Sequence, residues 1–201
     1  MLIIFIMKKF FGILLIFLSL NFAQAVFAAY DSFEEKKQQI VFLYNTNKLK
    51  EAYQLISQIP EEERDGKIWL MAANITQDYG RNLDAEFLLQ KAISVEPKNY
   101  KLYYNLGNLY FGQNKYNAAV AEYKASLKYN KEFSHAWNNL GLAYFHLDEY
   151  KKAKAAFMRA ISLQSTNADF YYNLACTYKK LNNKKQAEKM LGIYNTMTEQ
   201  K

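Results

Sequence analysis

From Gly66 onward the apolar and polar positions of the chain recur every 34 residues. Tyr103, Leu106, Gly107 and Tyr110 are followed by Trp137, Leu140, Gly141 and Tyr144, then by Tyr171, Leu174, Ala175 and Tyr178. The three- and four-residue steps within each set place its members on one side of a helix. A second set recurs behind the first: Ala85, Ala119, Ala153 and Ala187 share one phase, and Leu89, Tyr123, Phe157 and Leu191 share another. Each period therefore predicts two helices. Fixed-period self-similarity of this length indicates stacked helical units rather than one closed globule. In phase, the units are 66–99, 100–133, 134–167 and 168–201. Upstream, Lys36 to Tyr44 and Lys48 to Ile59 predict two further helices, with Ala52 and Ile56 in the same relation and Pro60 as a stop. Residues 33–65 thus read as a degenerate first repeat, closed by the polar turn Glu61 to Gly66. The expectation is ten helices.

These markers resemble the tetratricopeptide repeat family. Trp137-x-x-Leu140-Gly141-x-x-Tyr144, followed by Ala153, Phe157 and Ala160, keeps almost every family marker, with Ser165 in place of the usual closing proline. The unit 66–99 keeps Trp69, Ala72, Ala73, Ala85, Ala92 and Pro97 but has Thr76 where an aromatic is expected. The resemblance implies an all-α fold, a right-handed superhelical solenoid of antiparallel helix pairs with about five units. It also implies a protein or peptide partner. In the last unit Tyr194 stands where earlier units have Ala92, Ser126 and Ala160, which suits a C-terminal cap on which no further helix must pack. Exposure of Met190, Ile193 and Met197 at that end would leave a route to self-association.

Helical phase also divides each first helix into two faces. Tyr103, Leu106, Gly107 and Tyr110 share the side that meets the second helix, whereas Lys101, Asn105, Asn108 and Gly112 lie opposite. The same opposite face carries His135, Asn139, Leu142 and His146 in the next unit, Asp169, Asn173, Cys176 and Lys180 in the last, and Lys67, Met71, Asn74 and Asp78 in the first. Asn105, Asn139 and Asn173 recur in phase. An amide both donates and accepts, and so can hold the main chain of an extended peptide. This resembles the asparagine ladder of some tetratricopeptide superhelices. The alternative is that the amides bridge adjacent first helices. Tyr104, Phe145 and Tyr172 at the margin suggest pockets for apolar or aromatic side chains. The candidate groove is accordingly Asn74, Lys101, Tyr104, Asn105, Asn108, His135, Asn139, Phe145, Tyr172 and Asn173. A carboxylate clamp of the kind some family members use is not supported, since its phase holds Leu70, Asn74, Asn105, His135 and Asn139 without the basic residues it needs.

Residues 1–29 differ in kind. Lys8 and Lys9 precede an apolar run from Phe10 to Leu20, and Ala23-Gln24-Ala25 or Val26-Phe27-Ala28 offers a cleavage site, so residues 1–25 read as a secretory signal ending near Ala25 or Ala28. A short segment, 26–32, would follow it. Met7 is a second candidate initiator, and an uncleaved anchor is the competing reading, with membrane contact only through this segment. The expected location is the periplasm of a bacterial cell envelope. The formal charge is +7, and removing Lys8 and Lys9 leaves 24 basic against 19 acidic residues. That modest excess, together with export, argues against nucleic acid.

Chemistry has little footing. The single thiol, Cys176, has no partner for an internal disulfide, and its position beside Ala175 suits a small half-buried residue. His135 and His146 are roughly 16 Å apart along one helix, too far to share a metal. There is no glycine-rich phosphate loop or nucleophile elbow, and acidic pairs such as Asp148-Glu149 fall in turns. No enzyme activity, cofactor or metal is expected. The reading is a protein-interaction adaptor. The alternative is a structural, self-associating envelope subunit that docks on an anionic surface through Lys179, Lys180, Lys184, Lys185 and Lys189.

Overall fold

The computed structural model describes residues 33–199. The signal and cleavage sites, the segment 26–32 and the final two residues lie outside them. Among the described residues there are ten α-helices and no strand, and no helix is long and apolar enough to cross a membrane. Two units are distinguished, one ending at Glu61 and the other running from Glu62.

The described part of the first unit holds α1 (33–45) and α2 (Leu49–Ser57). Ile40, Ala52 and Ile56 are buried, and the latter two lie one turn apart on α2. A 3-10 turn over Glu61–Glu63 follows.

The second unit holds eight helices: α3 (Gly66–Asp78), α4 (Asn82–Val95), α5 (Tyr100–Gly112), α6 (Tyr116–Tyr129), α7 (Ser134–His146), α8 (Tyr150–Leu163), α9 (Ala168–Lys180) and α10 (Lys184–Glu199). They form four antiparallel pairs in a solenoid. Each helix packs on its successor, and the first helices α3, α5, α7 and α9 also touch the next first helix in line. The second helices make no comparable contact with one another. Between α6 and α8 this leaves open space on the side away from the first helices.

The reversals within pairs have one cause. Gly80, Asn114, Asp148 and Asn182 adopt φ of 74°, 59°, 59° and 58°, the left-handed region that costs glycine, asparagine and aspartate least. In each case the following amide bonds back across the turn, as in Lys115 N to Tyr110 O (2.9 Å) and Asn114 N to Phe111 O (2.9 Å). This is the Schellman arrangement, which satisfies the last carbonyls of the helix. Asn47, after α1, repeats it with φ 59° and bonds from Lys48 N to Leu43 O (2.9 Å) and Asn47 N to Tyr44 O (3.1 Å). Asp148 is therefore more than a solvated turn residue. It sets the reversal, and its carboxylate accepts from the Tyr150 hydroxyl.

Inside each pair, small residues face large ones. A Cβ added to Gly107 would lie 2.6 Å from the Tyr123 ring, and one added to Gly141 would lie 2.7 Å from Phe157. Both rings are wholly buried, and a ring of that size contributes roughly 1.5–3 kcal/mol on burial. Ala92, Ser126 and Ala160 are also wholly buried, and Ala92 clusters with Trp69 and with Leu102 from the next unit. Thr76, which replaces the expected aromatic, is buried with its hydroxyl donating to Ala72 O (3.0 Å) and Ala73 O (2.8 Å). Its polarity is absorbed by its own helix. At the far end Tyr194 is half-buried, with its ring 5.3 Å from that of Tyr172.

Candidate peptide groove

The three in-phase amides lie on the first helices α5, α7 and α9, and each makes different bonds. Asn139 Nδ2 donates to Asn108 Oδ1 (2.9 Å) and to the Tyr104 hydroxyl (3.1 Å), both on α5. Its Oδ1 accepts from Asn138 Nδ2 at 3.1 Å. Asn138 Oδ1 in turn accepts from Asn173 Nδ2 on α9 at 2.9 Å. Asn105 Nδ2 instead donates to Lys101 O of its own helix (2.7 Å). A continuous polar chain thus joins α5, α7 and α9 through Asn108, Asn139, Asn138 and Asn173. Both amide hydrogens of Asn139 are used inside the protein. The amides of Asn139 and Asn173 bridge adjacent first helices, and the oxygens of Asn105 and Asn173 are the acceptors that these bonds leave over.

Tyr123 anchors the same chain from below, its hydroxyl donating to Asn108 Oδ1 at 2.9 Å. Burial pushes the ionisation of this hydroxyl far above the ordinary tyrosine range, so it stays a donor. Tyr104 packs edge-on to Phe133 with centroids 4.9 Å apart. Sequence reasoning passed over Asn138, which is 8% exposed and carries the link between Asn139 and Asn173. Its signal was an amide directly beside a recurring one, off the predicted groove face.

The remaining candidates form a margin. His135 is exposed, with its ring edge-on to Phe170 at 5.9 Å. Lys101 is exposed beside Tyr100. Tyr172 is 47% exposed and supported by Tyr194. Phe145 is half-buried against Tyr150, with centroids 5.3 Å apart, which leaves it more core than pocket wall. Asn74, on α3, is half-buried and partnered. Met71, on the same predicted face, is buried. The open face therefore runs along α5, α7 and α9.

Family models described as "Tetratricopeptide repeat" match residues 104–168 and 156–189. The chain carries tetratricopeptide repeats. Among solved structures the array is similar to MamA, at 20% identity and a TM-score of 0.72 over 79% of this chain and 93% of that one. It is also similar to MamA from residue 41 onward from Desulfovibrio magneticus RS-1, at 15% identity and a TM-score of 0.76 over 84% and 96% of the two chains. MamA from AMB-1 gives 19% identity and a TM-score of 0.73 over 83% and 99%. At these identities the likeness is one of fold. None of the curated proteins matches the chain.

Among the described residues no group of three or more His, Cys, Asp or Glu side chains is placed to hold a metal. Cys176 is half-buried on α9, as a small apolar residue would be. In this tetratricopeptide array the groove can offer hydrogen bonds, aromatic surface and shape.

Proposed function

We propose that the protein is a non-enzymatic interaction scaffold that holds a peptide segment of a partner along the first helices of its repeats. The observation that carries this reading is the row of amide and aromatic side chains across α5, α7 and α9, already ordered before any partner arrives. The internal chain from Asn108 to Asn173 fixes the spacing of the floor, which lowers the entropy cost of binding. Recognition then falls to what remains available: the Oδ1 atoms of Asn105 and Asn173, and the exposed Lys101, His135 and Tyr172. The signal-like residues 1–25 support a place for this scaffold in the bacterial cell envelope.

The test is affinity capture from an envelope extract with the processed chain, wild type against the triple Asn105→Ala, Asn139→Ala, Asn173→Ala. Capture should fall about tenfold or more, as expected when several central contacts are removed. Asn139 ties α5 to α7 and Asn173 ties α9 to α7, so the double Asn105→Ala, Asn173→Ala, which spares the α5–α7 bonds, is run beside it, and thermal unfolding of both variants separates lost contacts from lost stability. Undiminished capture by both variants defeats the reading. The exposed Lys179, Lys180, Lys184, Lys185 and Lys189 favour a second reading, docking of the last repeat on an anionic surface. That attachment should weaken steeply with added salt, whereas the groove contacts should not.

A further inference from the structure

The array serves as its own control for a surface that the amide row leaves unused. On the side away from the amides, between α6 and α8 and over α7, lies an open cavity of about 660 Å³. Its rim carries Lys124, Lys128, Lys131, Lys152 and Arg159. Its floor is apolar, made chiefly by Leu127, Trp137, Leu140 and Tyr144. No carboxylate lines it. The ammonium groups of Lys124 and Lys152 lie 5.7 and 5.4 Å from the Tyr144 ring centroid, and Lys152 also pairs with Glu149 at 2.6 Å. The Trp137 indole is fixed by donating to Lys131 O at 2.8 Å.

The bland explanation, a solvated lysine-rich exterior, can be checked one period away. Thirty-four residues earlier, between α4 and α6, the five rim positions are Gln90, Ser94, Pro97, Ala118 and Ala125. Thirty-four residues later, between α8 and α10, they are Met158, Ser162, Ser165, Gln186 and Ile193. Not one is charged. The floor positions, by contrast, stay apolar in both neighbours, from Ile93, Tyr103, Leu106 and Tyr110 to Ile161, Tyr171, Leu174 and Tyr178. Stacking therefore needs the floor and not the cations. The small pair Ala155 and Ala156 also keeps this interface open, where the flanking ones have Ala121 with Glu122 and Lys189 with Met190.

From this we infer that the α6–α8 cavity is a second binding site, specific for an acidic peptide segment that carries a bulky apolar side chain between its carboxylates. The site goes beyond the amide groove and does not depend on it. Charge complementarity selects the acids. Lys124 and Lys128 lie one turn apart, roughly 6 Å, and Lys152 and Arg159 roughly 10 Å apart along α8. Alternate side chains of an extended peptide are about 7 Å apart, so its carboxylates can reach several rim cations while one side chain descends. The apolar floor lies beneath the cations. A flat lipid surface would meet the rim and leave that floor uncovered.

The probe is a capped Asp-Glu-Phe-Glu-Asp peptide titrated against the full chain, followed through the emission of Trp137 and absent from a Trp137→Phe control. Replacing three rim residues by their own counterparts from the preceding interface, Lys124→Gln, Lys128→Ser and Arg159→Ala, should weaken binding about tenfold or more. All three side chains are exposed, so helix content and unfolding temperature should stay put. Replacing the central phenylalanine of the probe by alanine should also cost about tenfold or more, since that ring's burial is lost. Asn105→Ala with Asn173→Ala should leave probe binding unchanged, which separates this site from the groove. The inference is overturned if the rim variant binds like wild type, if the alanine probe binds as well as the phenylalanine one, or if anionic phospholipid vesicles bind while the peptide does not.

Discussion

The two middle helix pairs and the two outer ones solve one packing problem in different ways. Where α5 meets α6 and α7 meets α8, a glycine faces a buried ring: Gly107 against Tyr123, Gly141 against Phe157. At the same phase in α3–α4 and α9–α10 the pairs are Ala73 with Leu89 and Ala175 with Leu191. Ala73 and Leu89 share one buried cluster. The methyl group that alanine adds is the space the larger ring needs. The lesson is that the family markers are not independent letters; glycine is required only where its partner is aromatic.

Substitutions can break that comparison. Gly141→Ala should cost about 1–3 kcal/mol, because the Phe157 ring sits where the new methyl would go. In a Phe157→Leu background, which recreates the Ala73–Leu89 pair, the same change should be close to neutral; thermal unfolding of the four chains gives the coupling directly. If Gly141→Ala costs the same in both backgrounds, the pairing argument is wrong. Next in size, Asn139→Ala should lose about 1–2 kcal/mol, since it strands partners on α5 and α7. Asn105→Ala should stay within about 0.5 kcal/mol, because its amide bonds only to its own helix.

Two further substitutions sharpen the contrast between neighbouring stacking surfaces. Ser126 is wholly buried and its hydroxyl finds no partner among the described residues, whereas its counterparts are Ala92 and Ala160. Ser126→Ala should therefore stabilise the array by about 1 kcal/mol, read as a higher urea midpoint. The smallest effect concerns Glu122, at the position of Ala156. Burial raises its carboxyl above the usual carboxylate range. A carboxyl whose folded-state value is raised contributes stability below its unfolded value and loses it as pH rises through the folded one. Glu122→Gln should thus flatten the fall in stability on the alkaline side of that range, seen by comparing unfolding near pH 4 and pH 7; an unaltered slope would remove Glu122 from the account.

The fold was legible because each unit repeats its own instructions. Tyr103, Leu106 and Gly107 announce a helix face that Trp137, Leu140 and Gly141 announce again, so packing errors in one reading are corrected by the next. The departure at Thr76 was visible too, although its remedy, hydroxyl bonds to Ala72 and Ala73, depends on rotamer rather than periodicity. The groove was legible only in part. Phase placed Asn105, Asn139 and Asn173 on one side, but which amide bonds across to a neighbour is set by lateral approach of the first helices, and Asn138 sits off that phase. The rim cations were harder still. Lys124, Lys131, Lys152 and Arg159 come from α6, α8 and the connection between α6 and α7, and no single helix shows them as a cluster. Comparing each unit with the one 34 residues away would have found them, since what fails to repeat is what scaffold packing does not require.

The turns after the first helices carry one more implication, in time rather than in space. Each reversal is encoded within about six residues around Asn47, Gly80, Asn114, Asp148 or Asn182, and every helix of the solenoid packs on its immediate successor. Contacts so close in sequence favour fast folding. A hairpin can close soon after it leaves the ribosome and serve as the template for the next, so the array can grow in the order it is synthesised, without waiting for its far end.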